Sequence, residues 1–150
     1  MAAVADEAAI RGLVDLFAEG WNLKDGKLCA RPFAVDADFV NIMGLKAHGQ
    51  EMIAQGHNEI LSTIFRNTSL TAGVDGIRFI RPDVAVVDVT FTLKALGGGP
   101  FNLQKSMVGM VVTKEADSWS IISFRNMVPF DRPAAGPLER ALTADTPTAQ

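Results

Sequence analysis

Hydrophobic positions along the chain change their period once, near residue 70. Before that point apolar residues recur every three or four positions. Ile10, Leu13, Val14, Phe17 and Trp21 share one helical face, with Arg11, Asp15 and Glu19 off it. The spacing predicts a helix over 6–20, with Asp6 as N-cap and Gly20 as the C-terminal stop. Asp25-Gly26 opens a second, short helix over 26–31, which Pro32 limits because proline disfavours helical geometry at the residue before it. Residues 39–43 read as a strand, and Gly44 and Gly49 bracket a turn. A third helix is expected from 50 to about 66, with Ile53, His57, Ile60 and Ile64 on one face.

Beyond Leu70 the period becomes two. Residues 74–80 read as a strand and Arg81-Pro82-Asp83 as a turn. Over 84–95 the alternation is clean. Ala85, Val87, Val89, Phe91 and Leu93 fall on one face, and Asp88, Thr90, Thr92 and Lys94 on the other. Gly97-Gly98-Gly99-Pro100 is a connection, 103–113 a strand, Ala116-Asp117-Ser118 a turn and 119–128 the last strand. From Pro129 the composition shifts to proline, alanine and threonine without periodicity. The division is therefore a domain over 1–128 and a tail over 129–150.

This order predicts an α+β fold, with helices packed on one face of a curved sheet whose strands run in antiparallel succession. A sheet curled over helices leaves a cone, and its open end is a natural place for a small molecule. The bulk composition agrees. The chain has 150 residues, 48% hydrophobic and 21% charged, which suits one globular domain. A net charge of −3 with no basic run argues against nucleic acid and anionic membrane as partners. No apolar run approaches the roughly 18 residues of a spanning helix, and Met1 to Glu7 does not read as a signal peptide. The single cysteine, Cys29, excludes an internal disulfide and is expected to be a buried, inert thiol. A cytoplasmic location is expected.

Several stretches together resemble a known family. They are Ile10-Arg-Gly-Leu-Val to Trp21-Asn22, Asp36-Ala-Asp-Phe-Val-Asn-Ile-Met-Gly, His48-Gly, Gly56-His57, Arg81-Pro-Asp-Val-Ala-Val-Val and Trp119-Ser-Ile-Ile-Ser-Phe-Arg-Asn. This set, spread over roughly residues 5–128, resembles the SnoaL-like branch of the nuclear transport factor 2 superfamily, nearest the small bacterial SgcJ/EcaC-type oxidoreductases. The resemblance implies a cystatin-like cone, with a curved antiparallel or mixed sheet wrapped around three helices from the N-terminal half. It also implies a homodimer formed through the outer sheet face. Relatives in the branch include ketosteroid isomerases, cyclases, dehydratases and non-catalytic binding or assembly domains, so the fold does not fix the activity. Laid along a ketosteroid isomerase, Phe17 falls at the oxyanion-hole tyrosine, Asn41 at the carboxylate base, and 110–112 lacks the protonated acid. Phe17 donates no hydrogen bond and an amide takes no proton near pH 7, so that mechanism is not expected.

His57 is the residue expected to carry acid–base chemistry, because it lies on the apolar face of the third helix. Its plain alternative is a core histidine bonded to a backbone carbonyl. Asn41, on a strand with Phe39 and Met43, is expected either to orient a ligand or to close the turn at Gly44. Alternation lets only one of Arg125 and Asn126 face inward. Phe17, Trp21, Phe39 and Met43 complete the expected ligand wall, with Ile60 and Met107 in the core. Asp88, Thr90, Thr92 and Ser106 are expected on the outer, dimer-forming face. Asp36 and Asp38 read as capping or solvated groups. His48, Glu51 and His57 do not have metal-ligand spacing, so no metal is expected. The glycine cluster does not open a helix, so no dinucleotide or other cofactor is expected. The expected function is binding of a small apolar organic molecule, polyketide- or steroid-like, with cofactor-free isomerisation, dehydration or cyclisation if it is an enzyme. The alternatives are a non-catalytic binding or assembly domain and an oxidoreductase accessory.

Overall fold

A computed structural model describes residues 2–97 and 104–129. The expected connection at Gly98-Gly99-Pro100, Leu103, and the tail beyond Pro129 lie outside the described residues. Three helices and six strands follow in the order α1 (Ala2–Asn22), α2 (Gly26–Ala30), β1 (Phe33–Val40), β2 (Lys46–His48), α3 (Gln50–Ser62), β3 (Thr68–Arg81), β4 (Val84–Ala95), β5 (Gln104–Glu115) and β6 (Ser118–Met127). The strands form one mixed sheet in the order β2-β1-β6-β5-β4-β3. β3 to β6 run antiparallel in succession, and β1 joins β6 in parallel.

Helix α1 buries Ile10, Val14, Phe17 and Trp21, the stripe that the sequence spacing marks. It extends past both expected ends. Asp6 is not its N-cap. The carboxylate Oδ1 accepts from Trp119 Nε1 at 2.9 Å and from Lys114 Nζ at 3.0 Å, tying the helix to the β5–β6 hairpin. Gly20 is not its stop. A Cβ there would lie 2.4 Å from the Cys29 backbone nitrogen, so glycine permits α1 to touch α2. The chain leaves α1 at Lys24, whose φ is 58°. Asp25 N–H bonds the Gly20 carbonyl and Lys24 N–H the Trp21 carbonyl, the Schellman pattern usually completed by glycine. Asp25 then caps α2, accepting from Leu28 N–H at 3.0 Å.

The first strand runs over Phe33–Val40 rather than 39–43. Its pairing with β6 is irregular between Phe33 and Asp38, and Val35 and Asp36 are both exposed. That break hides the alternation from a sequence reading. The short β2, which the sequence does not announce, pairs with its end. Helix α3 ends at Ser62, short of the expected 66, so Ile64 leaves the helical face and is exposed. β4 keeps the predicted bounds and faces: Ala85, Val87, Val89 and Phe91 are buried. Ala116 and Asp117, both at positive φ, turn β5 into β6.

Register corrects two placements. Ser106 pairs with Phe91 and Met107 with Thr90. Directly opposed residues share a face, so Ser106 turns inward with Phe91, while Met107 turns outward and is 47% exposed. The core lies between α1, α3 and the inner sheet face. Phe17 sits at its centre, stacked on Phe91 at 5.4 Å and packed against Phe33 and Phe124.

Candidate functional site

The inner face of the sheet and helix α3 leave a cavity of about 390 Å³ between them. Its floor is aromatic: Phe17, Trp21, Phe39, Phe91 and Phe124. Its mouth is formed by the β1–β2 turn, the start and end of α3, and the end of β6. Ile42, Met43, Leu45, Met52 and Ile64 stand exposed around it.

His57 reaches this cavity from the buried face of α3, with 5% of its surface exposed. Its ring meets Phe17 and Phe39 near perpendicular, at 5.4 and 5.2 Å. Nδ1 lies 2.8 Å from the Ile53 carbonyl oxygen. A carbonyl only accepts, so Nδ1 carries the proton and Nε2 is the bare, accepting nitrogen. Nε2 makes no hydrogen bond with the described residues. Burial pushes the pKa of the imidazole down; the bond to Ile53 opposes this more weakly. The site therefore holds a neutral imidazole with one free lone pair.

Asn41 and Met43 take up different positions from those the sequence suggests. Asn41 lies beyond the end of β1, and its Oδ1 accepts the backbone N–H groups of Met43 and Leu45, each at 2.9 Å. Gly44, at φ 78°, completes the turn. Asn41 thus closes the turn, the plainer of its two roles, and edges the cavity mouth. It makes no bond to His57. Met43 is 71% exposed on the rim because the strand ends before it.

Between Arg125 and Asn126, it is Asn126 that faces in. Alternation counted from buried Trp119 and Ile121 would turn Arg125 inward. Against β5, however, Val112 pairs with Ile121 and Val111 with Ser123, so Ile122 is an extra residue. This bulge reverses the parity, and Phe124 and Asn126 line the cavity. Arg125 is exposed, with Nη1 3.2 Å from the Phe124 carbonyl oxygen and 3.4 Å from that of Asp38. The carboxamide of Asn126 makes no hydrogen bond with the described residues, and its Oδ1 is buried. An unpaired buried polar atom costs about 1–3 kcal/mol, and this one belongs to a residue of the cavity wall.

Phe17 and Trp21 line the cavity as the helical stripe implies, and Trp21 Nε1 is satisfied by Thr68 Oγ1 at 3.1 Å. The sequence reading misses Gln104, Ser106, Phe91 and Phe124 as wall residues; the buried face of β4 held the signal for Phe91. Cys29 is buried, its thiol pushed up to about 12 chiefly by burial, and is inert. Among the described residues no group of His, Cys, Asp and Glu is placed to hold a metal ion, and no helix is long and apolar enough to cross a membrane.

No family model and no curated protein matches the chain. Solved structures do. A cystatin-fold domain of unknown function from Nostoc punctiforme is 30% identical, with TM-score 0.80, over 94% of this chain and 84% of its own. A protein of Novosphingobium aromaticivorans assigned as a scytalone dehydratase is 17% identical, with TM-score 0.73, over 93% and 97%. A hexachlorocyclohexane dehydrochlorinase from Novosphingobium barchaimii is 15% identical, with TM-score 0.73, over 90% and 94%. The last two share the fold. With the Nostoc relative, they agree with the three helices and mixed sheet described above, and this chain belongs with that relative to the proteins of cystatin-like fold.

Proposed function

We propose that this protein binds a small, largely apolar organic molecule in the cavity between α3 and the sheet. One observation carries the reading: His57 and Asn126 reach a largely apolar cavity with hydrogen-bonding atoms that no described residue satisfies. Proteins rarely leave such groups unpaired without a use for them. The cavity volume lies within the range of small-molecule sites.

A second reading adds chemistry at the same place. A neutral imidazole with a free Nε2 in an apolar cavity is a base for cofactor-free proton transfer, as in isomerisation, dehydration or cyclisation. The names of two structural neighbours, a dehydratase and a dehydrochlorinase, denote eliminations, and an elimination needs such a base. Against strong basicity stands the orienting group. A backbone carbonyl holds the ring but stabilises an imidazolium less than a carboxylate would. The substrate's own proton must then be acidic. A homodimer through the outer sheet face also belongs to the proposal; Met107 and Val86 are exposed there beside Thr90 and Thr92.

The test separates binding from turnover. A ligand held by the native state at 100 times its Kd raises stability by about 2.7 kcal/mol, so a thermal-shift screen of small aromatic alcohols and ketones should yield binders. His57→Ala should weaken their binding. Loss of turnover at saturating substrate supports the base; unchanged turnover of any substrate found removes His57 from the chemistry.

A further inference from the structure

Three polar side chains lie together on the sheet side of the cavity. Asn126 of β6 is directly opposite Val108 of β5. Ser106 lies two residues along β5 from Val108, on the same inward face, and Gln104 two further on. Diagonal neighbours of this kind have Cα atoms about 7–8 Å apart. The three therefore form a polar stripe running from the aromatic floor toward the mouth. On β4 the residues directly opposite Ser106 and Gln104 are Phe91 and Leu93, both apolar. The helix side contributes His57 Nε2. No hydrogen bond among the described residues uses the side chains of Ser106, Gln104 or Asn126.

We propose that this stripe determines ligand choice: the cavity takes a planar aromatic molecule bearing hydrogen-bonding groups along one edge, set against Asn126 and Ser106, with a hydroxyl donated to His57 Nε2. The inference rests on the cavity being the ligand site and narrows what occupies it. A steroid-like hydrocarbon frame would satisfy the aromatic floor and leave the stripe unpaired. A flat polyhydroxylated ring satisfies both, because its faces lie against the apolar walls of the cavity while its edge meets Asn126 and Ser106. The carboxamide suits varied edge groups, since a half-turn about its last bond exchanges donor and acceptor.

The experiment uses one carbon frame with increasing numbers of hydroxyls: naphthalene, 2-naphthol and a set of naphthalenediols, titrated into the full chain by calorimetry or fluorescence. Each correctly placed hydroxyl should tighten binding about tenfold, the size of one net hydrogen bond. Asn126→Leu should erase the increment of the second hydroxyl, measured against naphthalene in the same variant. Ser106→Ala, a change less able to disturb folding, should reduce the same increment partially. Equal affinity of naphthalene and every diol for the unmutated protein overturns the stripe while keeping the cavity as a ligand site. Increments that persist in both variants also overturn it. Failure of all the probes to bind overturns the reading of the cavity itself, and the stripe with it.

Discussion

The chain's two histidines divide between them what a catalytic histidine usually combines. His48, on β2, has a carboxylate: its Nδ1 donates to Asp38 Oδ1 at 2.9 Å, across the β1–β2 pair. That bond is the main cause holding the Asp38 carboxyl below its usual range. Both side chains of the pair are exposed. His57 has the cavity and the aromatic collar, and only a backbone carbonyl behind it. A carboxylate favours the charged ring, and burial favours the neutral one. Separating the two makes His48 a solvated surface group and His57 a neutral acceptor. Residue type alone could not have told them apart.

The sharpest way to break this contrast is to remove the collar. Phe17 contacts His57, Phe91, Phe33 and Phe124 and is almost wholly buried. Phe17→Ala should cost about 3–5 kcal/mol in urea unfolding. It should also admit water and let the His57 pKa rise toward its ordinary value, as NMR titration would show. An unchanged His57 titration would mean that the collar does not keep the ring neutral.

A pH series tests the same burial without a cavity. The pKa of His57 in the folded state lies below its unfolded value of about 6.5. Below that value the unfolded chain takes up a proton that the folded chain refuses. The contribution of His57 to stability is therefore complete above about pH 6.5 and declines as the pH falls toward the folded pKa, by at most about 1.4 kcal/mol per unit. Denaturant unfolding between pH 7.5 and 5.5 should show this slope, and His57→Gln should flatten it. A slope that persists in the variant would move the effect to another group.

A smaller effect of opposite sign is expected at the sheet wall. Asn126→Leu replaces an unpaired carboxamide with an apolar group of similar size, and should raise the stability of the ligand-free protein by about 1 kcal/mol. A loss of stability would show that the amide has a structural partner. The least effect belongs to His48. His48→Ala should leave the melting temperature unchanged within error while the Asp38 pKa returns toward the ordinary carboxylate value. A clear drop in melting temperature would show that the exposed pair supports the β1–β2 turn.

Most of the architecture was legible because periodicity is a local property. The stripe of Ile10, Val14, Phe17 and Trp21, the alternation over β4 and the inward side of His57 each follow from spacing along one element. Local chemistry misled where a second element intervened. Asp6 and Gly20 look like helix ends, yet Asp6 serves Trp119 and Lys114, and Gly20 makes room for Cys29. Asn41 looks like a strand residue, but β1 stops at Val40.

The sequence by itself determined which residues are apolar, at what period, and hence the α+β class and the helix that presents His57. Which residues complete the wall was decided only when strands paired. One extra residue at Ile122 reverses the parity of β6, turning Phe124 and Asn126 inward and Arg125 out. The pairing of Ser106 with Phe91 turns Ser106 inward likewise. Register and bulges are relations between strands far apart in the chain, so no pattern within either strand encodes them alone.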